Sequence, residues 1–175
     1  MNNLSFHITD ISANSIRAGA TEIRVEIRQT ADRITIRIAD NGSGMDRETM
    51  ARVVDPFYTT RTTRKVGLGL PFLIQNAEQT GGRVTLRSEP GRGTEVTAEF
   101  VASHIDCPPW GDLSGTIALL IAGTPDVTLC FMYQKGEISF TISTAELKEA
   151  LGDLPLSHPR VVSWIKEMIQ ENIGG

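Results

Sequence analysis

A chain of 175 residues is long enough for one large domain, or for a domain of about a hundred residues carrying a smaller appendage. With 40% apolar and 22% charged residues it has the composition of an ordinary folded polypeptide, which excludes wholesale disorder. A formal net charge of −4 argues against nucleic-acid binding through a broad basic face, so any basic site must be local.

Leu4, Ile8 and Ile11 recur at spacings of four and three, which predicts an amphipathic helix from Leu4 to Ala18 with Gly19 as its stop. His7, Asp10, Asn14 and Arg17 share a second, polar stripe of that helix. Glu22 to Arg28 and Arg33 to Ala39 alternate isoleucine or valine with charge and read as an antiparallel hairpin. Met45 to Val53 has helical spacing, Asp55-Pro56 breaks it, and Thr59 to Lys65 forms a polar, basic loop. Pro71 suits the first turn of a helix that runs from the Gly67-Leu-Gly69 segment to a stop at Gly81-Gly82. Val84 to Leu86 and Glu95 to Phe100 form a second hairpin across Glu89-Pro-Gly-Arg-Gly93.

A boundary is expected at Cys107-Pro108-Pro109-Trp110-Gly111, dividing the chain into residues 1–106 and 107–175. Beyond it Asp112 caps a helix from Leu113 to Ala122, and Val127 to Tyr133 pairs with Glu137 to Ile142 through Gln134-Lys-Gly136. Two helices close the chain, one from the Ser143/Thr144 cap and one from His158 to Ile173. Trp110, Phe131, Met132 and Trp164 are expected to form the core of this smaller part and its contact with the first sheet. Cys107 and Cys130 have neither metal-ligand spacing nor a disulfide framework around them, and no leader or membrane-length apolar run is evident. A cytoplasmic protein is expected.

Three segments carry chemistry. In Asp40-Asn-Gly-Ser-Gly-Met45, which follows a strand directly, a carboxylate at a fixed strand end is placed to accept a hydrogen bond from an exocyclic amine. Taken alone, the string is equally an ordinary surface turn. Gly67 and Gly69, with Leu68 between them, open a helix behind Arg61, Arg64 and Lys65, so glycine backbone, helix dipole and cations together suit phosphate. The segment lacks a Gly-Lys-Ser/Thr ending and no strand feeds it, which excludes both the Walker and the dinucleotide fingerprints. Asp10 and Asn14 sit one turn apart. The Asn14 carbonyl is a hard ligand suited to Mg²⁺, and Asp10 is placed to orient or deprotonate an attacking water or hydroxyl; a merely wet helix face is the competing reading.

The order of these parts is specific. A helix asparagine, a strand-end Asp-x-Gly-x-Gly, Asp55-Pro-Phe57-Tyr-Thr-Thr60, Gly67-Leu-Gly69-Leu and Gly91-Arg-Gly93-Thr94 follow one another, and in that order residues 4–100 resemble the GHKL ATP-binding fold. That fold is shared by sensor histidine kinases, MutL-type repair proteins, gyrase-type topoisomerases and anti-sigma kinases. The resemblance implies an α+β, two-layer sandwich, a mostly antiparallel sheet covered on one face by helices, with a small α+β C-terminal extension. It implies ATP and Mg²⁺ as ligands. Asn14 matches the magnesium-binding asparagine, Asp40 the adenine-binding aspartate, Gly42 and Gly44 the glycines shaping the adenine pocket, Gly67, Leu68 and Gly69 the triphosphate box, and Thr94 the threonine that reaches adenine. Arg64 and Lys65 belong with the triphosphate.

Where the ATPase branches of the family carry a general-base glutamate, this chain has Asp10, one methylene shorter, and the segment between Thr60 and Gly67 is a short lid. Nine residues precede Asp10, too few for a dimerising helical hairpin with a phosphoacceptor histidine, and the context of His7 resembles no phosphoacceptor box. The expected function is therefore an Mg-ATP-binding protein that transfers phosphate to a partner protein or regulates one, without its own phosphoacceptor domain. The alternatives are a non-catalytic nucleotide sensor or scaffold and a slow stand-alone ATPase. His104 and Asp106, one residue apart on an extended segment, suit a turn better than a metal.

Overall fold

The computed structural model describes residues 3–55 and 69–174. The first helix, α1 (Leu4–Arg17), starts at Asn3, whose Oδ1 accepts the Phe6 N–H at 2.7 Å, and is followed by Gly19 at φ +77°. Leu4, Ile8 and Ile11 are buried, as their spacing requires. Strands β1 (Glu22–Gln29) and β2 (Arg33–Asp40) pair antiparallel, turning Ile23, Val25, Ile27, Ile34, Ile36 and Ile38 to one face. Helix α2 (Arg47–Val53) begins two residues later than its hydrophobic spacing suggests, because the Asp46 carboxylate caps it by accepting the Thr49 N–H at 2.8 Å.

Helix α3 (Gly69–Gln79) leads through Gly81, at φ +88°, into the hairpin of β3 (Arg83–Glu89) and β4 (Gly93–Val101). Strand β3 is longer than Val84–Leu86 because the flanking residues are charged and polar; backbone pairing with β4 holds them although they carry no apolar pattern. Helix α4 (Leu113–Gly123) is capped by Asp112, which accepts the Gly115 N–H at 3.0 Å. Strands β5 (Thr128–Lys135) and β6 (Ile138–Ser143) form the last hairpin. Helix α5 (Thr144–Leu151) starts from Ser143, and α6 (Pro159–Ile173) has His158 as its cap and proline in its first turn.

The six strands of the described residues belong to one sheet in the order β3-β4-β2-β1-β5-β6. Every pairing is antiparallel except β1 with β5, where Glu22 to Gln29 run parallel to Thr128 to Lys135. The C-terminal hairpin thus continues the sheet begun by the first hundred residues. Helices α3, α1, α4 and α6 lie side by side on one face: α3 against β3 and β4, α1 between α3 and α4, and α6 over β6. One continuous core runs beneath them from Phe100 through Ile8 and Ile117 to Phe131 and Ile165. This is the expected two-layer α+β sandwich. The other face of the sheet is polar, with Arg37 ion-paired to both Glu26 and Glu95.

Of the four residues expected in the C-terminal core, Phe131 is fully buried, but Met132 and Trp164 are not core residues. Neighbours in a strand point to opposite faces, so burying Phe131 turns Met132 to the polar side. Trp164 lies off the Val161, Ile165, Ile169, Ile173 stripe of α6 and is 45% exposed. Trp110 is half-buried and donates its Nε1 hydrogen to Gln29 Oε1 at 3.2 Å.

Candidate nucleotide site

The turn after β2 is wedged between the end of α1 and the β3–β4 hairpin. Ser43 donates its N–H to the Ala18 carbonyl at 2.9 Å, Gly91 donates to the Ser43 carbonyl at 2.7 Å, and Met45 donates to Ser88 Oγ at 2.8 Å. Close approach explains the glycines. A Cβ on Gly44, at φ +70°, would lie 1.9 Å from the Glu89 carbonyl oxygen, and one on Gly42 would lie 2.9 Å from both Cβ and O of Ala18. Gly93, at φ +110°, sits against Asp40 itself, with its absent Cβ 2.0 Å from the Asp40 carbonyl oxygen.

Asp40 closes β2 opposite Thr94 of β4. Its Oδ1 accepts the Gly42 N–H at 2.8 Å, and its Oδ2 accepts the hydroxyl of Ser15 at 2.6 Å from the buried side of α1. An ionised carboxylate offers about four lone-pair sites. Among the described residues two remain for a further donor, and the two bonds already made fix the carboxylate plane. The Thr94 hydroxyl lies 2.8 Å from Ser88 Oγ, which is also 3.0 Å from the Gly93 carbonyl. An open cleft of about 580 Å³ lies beside these residues, lined by Asp40, Met50, Leu86, Ser88, Gly93 and Thr94 among others. Its volume is within the usual range for a small-molecule site.

Further along α1, Asp10 and Asn14 are half-buried. The Asp10 carboxylate meets the start of α3: a Cβ on Gly69 would lie 2.3 Å from Asp10 Oδ2, so a larger residue there would push the carboxylate from its place. Burial pushes the Asp10 carboxyl above its ordinary range, and the Arg17 guanidinium opposes that rise in part. Asn14 Oδ1 accepts a hydrogen bond from Arg17 Nη2. His7 behaves differently from the others on its stripe. It is buried between α1 and α3, with its Nε2 2.7 Å from Asn76 Nδ2 and its ring tilted against Phe72 at a centroid distance of 5.2 Å. Burial lowers its pKa to about 4, so it is a neutral packed histidine.

The structure therefore brings Asp40, Gly42, Gly44 and Thr94 together at one end of the sheet, and Asp10 together with Gly69 at the start of α3. Arg64, Lys65, Gly67 and Leu68 lie outside the described residues, as do Phe57 to Thr60. Ser15 and Ser88 complete the site and were not singled out by motif, whereas Gly93 stands in the Gly91-Arg-Gly93-Thr94 motif and sits against Asp40. Ser15 had a legible signal: it continues the buried line of Ile8 and Ile11, where a hydroxyl must find a partner. Among the described residues no three His, Cys, Asp or Glu side chains converge to hold a metal, and no helix is long and apolar enough to cross a membrane. His104 Nδ1 accepts the Asp106 N–H at 3.0 Å, which is the turn role expected of that pair.

An ordered carboxylate at a strand end, crowded glycines around it and a helix bearing Asp and Asn beside it form the arrangement that the resemblance to GHKL-type ATP-binding modules implies. Residues 3–104 match the family model of histidine kinase-, DNA gyrase B- and HSP90-like ATPases, and the chain belongs to that family. Among curated proteins it is similar to the sensor protein kinase FleS of Pseudomonas aeruginosa, 40% identical over 93 residues that make up 51% of this chain and 23% of that protein. The signal transduction histidine-protein kinase AfsQ2 of Streptomyces coelicolor is 30% identical over 94 residues, covering 51% of this chain and 18% of the kinase. The alginate biosynthesis sensor protein KinB of Pseudomonas aeruginosa is 32% identical over 89 residues, 49% of this chain and 15% of KinB. The chain thus spans less than a quarter of the length of each of these relatives. A solved N-terminal domain of a DNA repair protein superposes with a TM-score of 0.56 at 12% identity, over 82% of this chain and 52% of that one, which shows the shared fold.

Proposed function

We propose that residues 1–106 bind Mg-ATP and pass its terminal phosphate to a partner protein, with residues 107–175 as an extension that chooses the partner. The observation that carries this reading is the Asp40 carboxylate. It is oriented by Ser15 and Gly42 and, among the described residues, keeps free lone pairs at the strand end where an adenine amine would be read. Gly42 and Gly44 shape the wall around the base, and Thr94, held by Ser88, is the second contact to it.

The phosphates then lie toward α1 and the start of α3, where Gly69 opens a helix; Arg64, Lys65, Gly67 and Leu68, which precede Gly69 in the sequence, are the residues that the family resemblance assigns to the triphosphate. Asn14 offers a hard oxygen of the kind Mg²⁺ accepts, once Arg17 releases it. When bound, the cation neutralises phosphate charge. Asp10, with its carboxyl raised by burial and its oxygen against Gly69, is placed to orient or take the proton of an attacking hydroxyl. The relatives named as sensor kinases support transfer rather than simple hydrolysis. A cytoplasmic setting, where ATP is available, suits this role.

The engagement of Asn14 by Arg17 and the shorter acid at Asp10 favour a second reading, a nucleotide sensor that acts through occupancy. Incubation with γ-labelled ATP and cell extract separates the two. Transfer predicts a labelled partner protein that disappears with Asn14→Ala. Release of free phosphate without a labelled protein contradicts transfer, and neither product points to the sensor.

A further inference from the structure

The two edges of the sheet differ in a way that concerns assembly. At one edge β3 carries Arg83, Arg87 and Glu89, charges of the kind that discourage another strand from adding. At the other, β6 reads Ile138-Ser-Phe-Thr-Ile-Ser143, with no charge and no proline. Thr128 donates its N–H to Thr21 on the β1 side at 2.8 Å, while Leu129 donates to Thr144 on the β6 side at 3.0 Å. The odd-numbered residues of β5 therefore bond β6, through the pairs Phe131 with Ile142, Tyr133 with Phe140 and Lys135 with Ile138. Ser139 and Thr141 are left with N–H and C=O pointing away from the sheet. Among the described residues neither makes a backbone bond outside the strand ladder.

We propose that β6 is the interface of a homodimer, in which two copies pair antiparallel about a two-fold axis at Phe140 and join their sheets. The sequence of the strand is self-complementary in that register. Ile138 meets Ile142 of the second copy, Phe140 meets Phe140, and Ser139 meets Thr141, so apolar faces apolar on the helix side and hydroxyl faces hydroxyl on the other. The hydrogen-bonding parity agrees. Ser139 and Thr141, the residues with outward groups, become the bonded pairs, and Phe140 falls in a non-bonded pair, where facing side chains come closest. A C₂ contact requires this kind of self-matching surface.

The helix above the edge supplies a second, independent match. Lys166 of α6 reaches Asp112 at 3.2 Å, which turns that flank of α6 toward α4. Trp164 and Met168 lie on the flank roughly 160° away on the helical wheel, over the open side of β6. Trp164 is 45% exposed, and Ile138 on the strand beneath is 40% exposed. Pairing β6 with its copy brings two such flanks side by side and covers both residues. No other edge or helix flank of the sheet combines unpaired backbone with exposed aromatic surface among the described residues.

The test is sedimentation equilibrium of the full chain, without nucleotide, across a wide range of protein concentration. The expected result is twice the monomer mass for the wild type and the monomer mass for Thr141→Pro, which removes an outward N–H and spares the bonds to β5. Trp164→Glu is expected to weaken the dimer at least tenfold, and it decides the matter should the proline variant fail to give a native circular dichroism spectrum. A wild type that stays monomeric at the highest concentration overturns the proposal. So does a dimer that survives in the natively folded variants, since it must then form elsewhere.

Discussion

Helices α1 and α6 cover the same face of the same sheet, yet they bury different chemistry. Helix α6 packs through Val161, Ile165, Ile169 and Ile173, a purely aliphatic line. Helix α1 packs through Leu4, Ile8 and Ile11, but it also buries Ser5, His7, Ser12 and Ser15. Some of these polar groups have clear partners: Ser5 donates to the Trp110 carbonyl and Ser15 to Asp40. Others do not, since His7 Nδ1 and Ser12 Oγ are buried with no partner among the described residues. A helix that only closes a core can be all hydrocarbon. One that also positions a site gives up part of its packing to hold polar groups in place, and α1 does this beside Asp40.

The sharpest contrast comes from truncation on the aliphatic side. Ile165→Ala is expected to cost about 2–5 kcal/mol, read as a lower urea midpoint at unchanged slope. Because α6 lies over β6, far along the sheet from Asp40, nucleotide affinity of the folded fraction should stay as it was.

His7 makes the stability of the α1 side depend on pH. Its pKa is about 6.5 unfolded and about 4 folded, so on acidification the unfolded chain takes up a proton that the native state refuses. The stability is fully present above pH 6.5 and is lost as pH falls toward 4, on the order of 3 kcal/mol in all. Urea titrations across that window should show the slope, and His7→Leu should flatten it. A smaller effect is expected from Ser15→Ala. Loss of a hydrogen bond to a carboxylate costs about 1.5–3 kcal/mol in general, less where the group is partly hydrated. Here the test is binding, because Asp40 loses its fixed orientation and ATP affinity should fall several-fold.

How much of this was legible depends on how local each feature is. The Asp40 turn, the Thr94 strand and the Asn14 helix are short motifs, and the structure places Asp40 and Thr94 as cross-strand neighbours. The Ile-rich hairpins declared themselves by alternation. The parallel pairing of β1 with β5 did not, because its partners are about a hundred residues apart and parallel strands share no turn signal. The burial of His7 was also hidden: its wheel position suggested the polar stripe, and only the docking of α3, through Phe72 and Asn76, covers it. Met132 was misplaced for a simpler reason, since an aromatic-rich run does not announce which of its residues face the helices.

Calorimetric titration of the protein with ATP and Mg²⁺ tests the central claim most directly. The account predicts saturable binding by the wild type and a loss of about 1–3 kcal/mol, roughly five- to 150-fold in affinity, in Asp40→Asn. Absence of heat with the wild type, or unchanged affinity in Asp40→Asn, would contradict it.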